Sequence, residues 1–143
     1  MNKGKIHITR LGESERDRAT YFGAVNAIEE ALGAQYPGLY EELRNVPRTI
    51  AGLTEEGVVA GGLIWDKKTQ QDYLTVRFVG VSPKFQMGGV GARLLRSLDE
   101  IAQLMKVEGI EAMTSGGAIN WYLANGYKLG KKSGSMTTML RTL

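Results

Sequence analysis

The spacing of apolar residues predicts a strand followed by a long helix at the start of the chain. Residues 5–11 alternate isoleucine with polar residues, which is typical of a short β-strand. Over 15–33 the apolar residues recur at steps of three and four, and Ser14 in front of them is a residue type that caps helices. We therefore expect an amphipathic helix over 15–33, with apolar positions at Tyr21, Phe22, Val25, Ile28 and Leu32.

The middle of the chain changes to a strand pattern. Between Pro37 and Pro47 only a short second helix can form, because proline interrupts both ends. Two β-rich runs then flank Glu56-Gly57, and "KKTQQD" separates the second run from "YLTVRFVGVSP". Residues 48–82 are therefore predicted to form an antiparallel meander, in which 73–81 is the most apolar strand.

The last third of the chain alternates helix and strand. A helix is predicted over 90–107, ended by Glu108-Gly109, with a buried stripe of Leu94, Leu98, Ile101, Ala102 and Met105. After it come a strand at 110–115, a short helix that stops at Gly126, a loop over 128–135 and a closing strand.

The expected order is β-α-α-β-β-β-α-β-α-β-β, in which a further strand lies between the last helix and the closing strand. This order predicts an α/β/α layer sandwich around a mixed, mainly antiparallel sheet of about seven strands. The 143 residues suit one domain over 1–143.

Composition narrows the chemistry. The chain has no cysteine, which excludes a disulfide framework, a thiol nucleophile and a zinc-thiolate site, and no metal site is expected. No apolar run approaches ~20 residues and no signal-peptide core follows the first lysines, so a cytoplasmic protein without membrane contact is expected. The net charge of +3 is scattered and not interleaved with aromatic residues. This charge suits an anionic small ligand as well as nucleic acid, and because the interleaving typical of single-strand readers is missing, no nucleic-acid partner is expected.

Three glycines stand between the strand at 73–81 and the helix at 90–107. Gly88, Gly89 and Gly91 make a turn that opens a helix, where unpaired N–H groups and the positive end of the helix dipole meet. Such a turn binds phosphate, and glycine lets the phosphate approach the amides. A tight turn without a ligand would use the same residues, so both interpretations stay open at this point.

Two other phosphate motifs fit less well. The P-loop pattern G-x-x-x-x-G-K-[ST] is absent. The dinucleotide fingerprint is met only as Gly89-x-Gly91-x-x-Leu94, with Glu111 near the distance of a ribose-binding acid. Predicted antiparallel strands before the turn and the short stretch after Glu111 disfavour a doubly wound sheet.

Two motifs together resemble the GNAT superfamily of acyl-CoA-dependent N-acyltransferases. The stretch "VGVSPKFQMGGVGARLL" carries the family's [QR]-x-x-G-x-[GA] pattern, with Gln86, Gly89 and Gly91 in the motif positions. Downstream, "AINWYLANGY" is similar to the family's A-x-x-[FLW]-Y-x-x-x-G-[FY] helix and supplies Ala118, Trp121, Tyr122, Gly126 and Tyr127.

The resemblance implies an N-acetyltransferase that uses acetyl-CoA as cosubstrate and acetylates a primary amine by direct attack in a ternary complex. The pyrophosphate would lie on the amides of the glycine turn, and the pantetheine arm along a strand splayed from 110–115. The N–H of Val79 would hydrogen-bond the thioester carbonyl, an oxyanion-type contact. The cofactor-binding residues implied are Val79, Val81, Gln86, Met87, Gly88, Gly89, Val90, Gly91, Ala92, Ser115 and Asn120.

Tyr122 matches the family's general-acid position. A tyrosine pKa of about 10 exceeds a thiol pKa of about 8.5, so the phenol is protonated at neutral pH and can donate to the departing thiolate. The alternative is an aromatic side chain that only packs in the core.

The sequence also departs from the family pattern. Thr75 stands where some members carry a basic glutamate, and Thr75 cannot act as a base. Ser115 replaces an asparagine, and a serine can still cap the last helix. Acids that could act through water instead are Glu29, Glu30, Glu41, Glu42 and Asp72. The missing glutamate supports the alternative of a non-catalytic acyl-CoA-binding sensor.

The acceptor is a small-molecule or peptide amine whose identity stays open. Arg77 could pair with a substrate carboxylate or phosphate beside Thr75, or it could lie over the sheet edge with its head in water. In this family the helical segment 15–45 and the loop 128–135 select the acceptor. Relatives are often dimers, which leaves a homodimer open.

Overall fold

Seven strands form one mixed sheet in the computed structural model, which describes residues 5–68 and 70–143 and, at Met87, the backbone alone. The strands are β1 (Ile6–Arg10), β2 (Thr49–Thr54), β3 (Val59–Asp66), β4 (Tyr73–Val81), β5 (Gly109–Thr114), β6 (Lys128–Ser133) and β7 (Met136–Thr142). The helices are α1 (Glu15–Leu32), α2 (Pro37–Glu41), α3 (Val90–Leu104) and α4 (Ile119–Ala124). Short 3-10 turns cover Leu43–Arg48, Pro83–Gly88 and Gly116–Ala118.

The order of the strands across the sheet is β1-β2-β3-β4-β5-β7-β6. β4 and β5 pair in parallel, whereas β1 with β2, β2 with β3, β5 with β7 and β6 with β7 pair antiparallel. The sheet is open and flanked by helices, so the predicted α/β class and the order of elements along the chain are confirmed.

Contacts divide the described residues into two units. The first contains the residues up to Trp65 together with Phe78–Ser97, and the second contains Asp66–Arg77 and Leu98–Leu143. The division falls within β4 and within α3.

The core of the first unit forms where α1 packs on the sheet. Its buried members are Leu11, Tyr21, Val25, Ile28, Leu39, Val46, Ala51 and Ile64. A Cβ at Gly62 would lie 2.7 Å from the Cβ of Ala24, so only glycine lets α1 approach β3 this closely. Phe22 and Leu32, which follow the predicted apolar spacing, are instead exposed.

The start of α1 is a capping box. The Ser14 hydroxyl accepts the Asp17 N–H at 3.0 Å, and the Asp17 carboxylate accepts the Ser14 N–H and the Gly12 N–H. These bonds pair N–H groups that the helix cannot satisfy itself, which fixes its first turn at the predicted residue. Gly33 ends the helix with a φ of 66°.

The second unit is built on β5, β7 and β6, with α4 beside them. The Asp99 carboxylate accepts two hydrogen bonds from the Arg141 Nε, at 2.9 and 3.0 Å, which ties the end of α3 to β7. A Cβ at Gly109 would meet the carbonyl of Arg141 on β7. Glycine is therefore the residue that fits at the start of β5, because the backbone of β7 leaves no room for a side chain.

Three local predictions are wrong. Helix α3 ends at Leu104, and the left-handed residue after it is Lys106 (φ 58°) rather than a glycine at 109. Met105 consequently lies beyond the helix with 43% of its surface exposed, outside the buried stripe. Much of the loop predicted over 128–135 is strand β6, because Lys128–Ser133 pairs with β7.

Candidate functional site

The turn between β4 and α3 leaves backbone amides open. After β4 the chain forms the 3-10 turn Pro83–Gly88, held by a bond from the Gln86 side-chain amide to the Val81 carbonyl at 3.1 Å. Gly89 then takes a φ of +71°, and a Cβ placed there would meet nothing within 4 Å. Glycine is required at this position by its backbone angle, and the space beside it is open.

The first turn of α3 carries the donors. The Arg93 N–H donates to the Gly89 carbonyl at 3.2 Å, so the amides of Val90, Gly91 and Ala92 come before the first N–H that is bonded within the helix. The 15-residue helix has no acidic side chain in its first turn. Its dipole, and first-turn amides that have no acceptor within the helix, therefore suit a bound anion such as phosphate.

Strand β4 continues past its pairing with β5. The parallel pairing runs from Tyr73 opposite Gly109 to Val76 opposite Ala112. Arg77–Val81 lie beyond this paired stretch, and Val79 among them is half-buried. A backbone N–H in such a stretch can bond a ligand, because no rung of that ladder uses it.

Tyr122 lies on α4 in an aromatic group. Its ring contacts Trp121 and Tyr127 edge to face, with centroids 4.9 and 5.2 Å apart. It is 4% exposed, and burial raises the pKa of its hydroxyl to about 12. The hydroxyl therefore stays protonated over the physiological range.

The hydroxyl of Tyr127 is fully buried, and within the described part of the chain it has no hydrogen-bond partner. Burial, with a smaller contribution from the Asp99 carboxylate, raises the pKa of Tyr127. The second motif helix thus contributes two neutral phenols side by side.

The structure adds a contact that sequence reasoning missed. The Thr75 hydroxyl donates to the Glu111 carboxylate at 3.1 Å, across paired positions of β4 and β5. Sequence reasoning considered Glu111 only as an acid for ribose. The available signal was one charged residue inside the apolar strand "GIEAMT".

The sequence profile of the Acetyltransferase (GNAT) family matches residues 15–127, which is more than half of the chain and includes both motifs. The chain belongs to the GNAT acetyltransferase family. A search of curated proteins found no match to the sequence.

Solved structures share the GNAT fold at low sequence identity. The Neisseria gonorrhoeae N-acetylglutamate synthase complexed with coenzyme A and N-acetyl-glutamate aligns at 17% identity and a TM-score of 0.76 over 97% of this chain. This chain spans only 35% of the synthase chain. The PaiA N-acetyltransferase of Thermoplasma acidophilum in complex with coenzyme A aligns at 14% identity and a TM-score of 0.77, covering 97% of this chain and 99% of that one. Tetrahymena GCN5 aligns at 16% identity and a TM-score of 0.74, covering 96% and 95%.

Three further predicted site residues of this GNAT protein lie on or beside different elements. Asn120 and Arg77 are exposed on α4 and β4. Ser115 precedes the Gly116–Ala118 turn but makes no side-chain cap hydrogen bond, so the predicted serine cap is wrong. No group of three or more metal-ligating side chains occurs among the residues that the structure describes.

A hollow of about 460 Å³ opens in the second unit of the GNAT fold. It lies between the start of α4 and the β6–β7 hairpin and is lined by Gly116, Ile119, Leu129, Gly130, Lys132 and Thr137, among others. The lining is mainly apolar with one lysine, a composition usual for small-molecule sites.

The helices described in the structure are all too short or too polar to cross a membrane.

Proposed function

We propose that this GNAT acetyltransferase transfers the acetyl group of acetyl-CoA to a primary amine, both substrates being bound together. The observation that carries the proposal is the open glycine turn at the start of α3, inside the region that matches the family. Acetyl-CoA supplies the acetyl group already activated as a thioester.

The backbone of the first unit would bind the cosubstrate. The amides of Val90, Gly91 and Ala92 would hold the pyrophosphate, because they come before Arg93, whose N–H donates to the Gly89 carbonyl. The Val79 N–H would polarise the thioester carbonyl from the stretch of β4 that lies beyond its ladder with β5. Backbone donors need no reorganisation during the reaction, which is why they suit this role.

Tyr122 would donate a proton to the departing sulfur. Burial raises the pKa of its hydroxyl to about 12, which keeps the proton on the oxygen at neutral pH. A thiol pKa of about 8.5 makes complete transfer from such a phenol unfavourable, so the hydroxyl acts mainly as a hydrogen-bond donor to the developing thiolate.

The binding half of the proposal is tested by calorimetric titration of acetyl-CoA. Gly89→Glu would place a carboxylate beside the amides that hold the pyrophosphate. The matched control is Gly57→Glu in the β2–β3 turn, where φ is also positive (+85°) and the added side chain is equally open. We expect micromolar binding by the wild type and by Gly57→Glu and none by folded Gly89→Glu. Equal binding by both variants would refute the assignment.

The catalytic half is tested by following CoA release with a thiol reagent. The chain has no cysteine, so the reagent reports only the product thiol. Tyr122→Phe should lower kcat by ~10²-fold with acetyl-CoA affinity unchanged. The second candidate function is an acyl-CoA sensor without turnover, and it is supported by Thr75, which stands where some family members carry a basic glutamate. This candidate would be favoured if the wild type binds acetyl-CoA but releases no CoA with any amine.

The acceptor would bind in part at the hollow beside the β6–β7 hairpin. Its apolar lining and single lysine favour a small amine that carries an apolar or anionic group. A panel of amino acids, polyamines, aminoglycosides and peptides with a free amino terminus would rank the classes. Leu129 lines the hollow and is exposed. Leu129→Glu should raise the KM of the preferred acceptor without changing acetyl-CoA binding.

A further inference from the structure

We infer that Glu111 is the general base that takes a proton from the acceptor amine, and that Thr75 positions its carboxylate. The inference rests on the proposed acetyl transfer and adds a residue to it. Two strands supply the pair, since Thr75 lies on β4 and Glu111 on β5.

The contact holds one carboxylate oxygen and leaves the other available. The Thr75 hydroxyl donates to the Glu111 Oε1 at 3.1 Å, and the two residues are register partners in the parallel ladder. An ionised carboxylate only accepts hydrogen bonds, and it has room for several. Glu111 can therefore keep this bond while its Oε2 accepts a proton from an amine or from an intervening water.

The Thr75–Glu111 pair lies near the end of the β4–β5 ladder. The Thr75–Glu111 rung is followed by one more rung, Val76 with Ala112. Val79, the proposed donor to the thioester carbonyl, lies four residues after Thr75 on the same strand. The neighbours of Glu111 along β5, Ile110 and Ala112, are fully buried. Glu111 itself is half-buried, and a half-buried carboxylate is costly unless hydrogen bonds compensate, as the bond from Thr75 does in part.

Other acids that sequence reasoning considered are held by structural partners. The Glu29 carboxylate accepts the Tyr40 hydroxyl and the Tyr36 N–H, both at 2.6 Å. These two bonds lower the pKa of Glu29, which makes it a weaker base. Glu30 accepts the Ser82 hydroxyl at 3.2 Å. Glu30 resembles Glu111 in accepting one hydroxyl, but it lies on α1, whereas Glu111 lies on β5 opposite Thr75.

Few charged groups share the strand faces around Glu111. Alternation along β4 puts Tyr73 and Arg77 on the side of Thr75. On β7 the residue opposite Glu111 is Leu140, which in turn pairs with Lys128 on β6. The titratable or charged groups that face Glu111 from these strands are therefore Tyr73, Arg77 and Lys128.

The acceptor ammonium gives one proton to the Glu111 carboxylate, and the neutral nitrogen attacks the thioester carbonyl carbon. A C–N bond forms and the C–S bond breaks. The nitrogen loses a second proton as the amide forms, and one proton ends on the sulfur, which the Tyr122 hydroxyl holds by a hydrogen bond while the C–S bond breaks. Glu111 returns its proton to solvent. The products are an acetylated amine, free CoA and one released proton.

The test compares Glu111→Gln with Glu108→Gln, an exposed glutamate three residues earlier. CoA release is measured from pH 6 to pH 10 with the amine that the wild type acetylates fastest in a panel of amino acids, polyamines, aminoglycosides and peptides. Glu111→Gln should lower kcat/KM by ~10²-fold at neutral pH, and the deficit should shrink as the pH approaches the amine pKa, because the amine then arrives neutral. Affinity for acetyl-CoA, measured by calorimetry, should not change. Glu108→Gln should match the wild type.

Thr75 variants test the positioning role. Thr75→Val should lower kcat/KM less than Glu111→Gln does, and Thr75→Ser, which keeps the hydroxyl, should restore the rate. These variants also serve if Glu111→Gln does not fold. A Glu111→Gln rate equal to the wild type, or a deficit that is constant with pH, would overturn the inference and leave the proposed function standing. A wild type that releases no CoA with any amine would overturn the proposed function and this inference with it.

Discussion

Replacing Tyr127 by phenylalanine should make the protein more stable. The hydroxyl is buried and has no hydrogen-bond partner among the described residues, while the ring packs edge to face on Tyr122 with centroids 5.2 Å apart. A buried hydroxyl without a partner costs ~1–3 kcal/mol of desolvation, and phenylalanine keeps the ring contacts. We expect a gain of about 1 kcal/mol in the free energy of unfolding, because the small void left by the oxygen offsets part of the relief.

The same substitution at Tyr21 should have the opposite sign. The Tyr21 hydroxyl donates to the Leu39 carbonyl at 2.6 Å and lies 3.5 Å from the Asn45 side-chain amide, all of them buried. Removing it leaves buried polar groups unpaired, which should cost about 2 kcal/mol. The two variants change the same atom and differ in whether that atom is paired.

Urea denaturation followed by tryptophan fluorescence would measure both effects. Trp65 lies in the first unit and Trp121 in the second, so the signal covers both. A gain of 1 kcal/mol corresponds to an increase in Tm of about 4 °C at this size. If Tyr127→Phe destabilised the protein as much as Tyr21→Phe does, the Tyr127 hydroxyl would be paired and the argument from its isolation would be refuted.

Three further outcomes follow from the structure. The pKa values of Tyr40 and Tyr122 are raised from 10.0 to about 12 in the folded chain, so the unfolded state loses these protons first. The contribution of these two groups to the free energy of unfolding should be constant below pH 10 and fall from pH 10 to 12, and denaturation at pH 9 and 11 checks this. Ser14→Ala removes the cap of α1 and should cost about 1 kcal/mol in the same assay, whereas an unchanged midpoint would mean that the cap contributes nothing. Asp99→Asn weakens the half-buried pair with Arg141 and should cost about 1 kcal/mol at low salt, less as salt rises; a salt-independent loss would point to packing instead.

Local features of the candidate site could be predicted from the sequence. The glycine turn needs a residue with positive φ, which Gly89 supplies, and the helix after it needs only the apolar spacing of its own residues. The capping box of α1 is likewise read within four consecutive residues. The roles assigned to Tyr122 and to Val79 stay predictions, since they depend on a bound substrate.

Helix ends and exposure were predicted less well. Met105 follows the apolar spacing of α3, yet the helix has ended at Leu104 and the side chain is exposed. The end is set by the turn through Lys106 and by the entry into β5, where Gly109 lies against β7. Periodicity reports which residues would share a face of a helix, and it carries no information on where tertiary contacts stop that helix.

By itself the sequence determined the order of the elements, the glycine turn and the membership of the GNAT family, because each depends on residues close together in the chain. Only the tertiary structure decided that Thr75 meets Glu111, 36 residues away, and that the Tyr127 hydroxyl is left without a partner among the described residues. The pairing register of β4 with β5 brings Thr75 to Glu111, and the packing around α4 buries the Tyr127 hydroxyl. A register between strands follows from the whole set of packed side chains, so no short stretch of sequence specifies it.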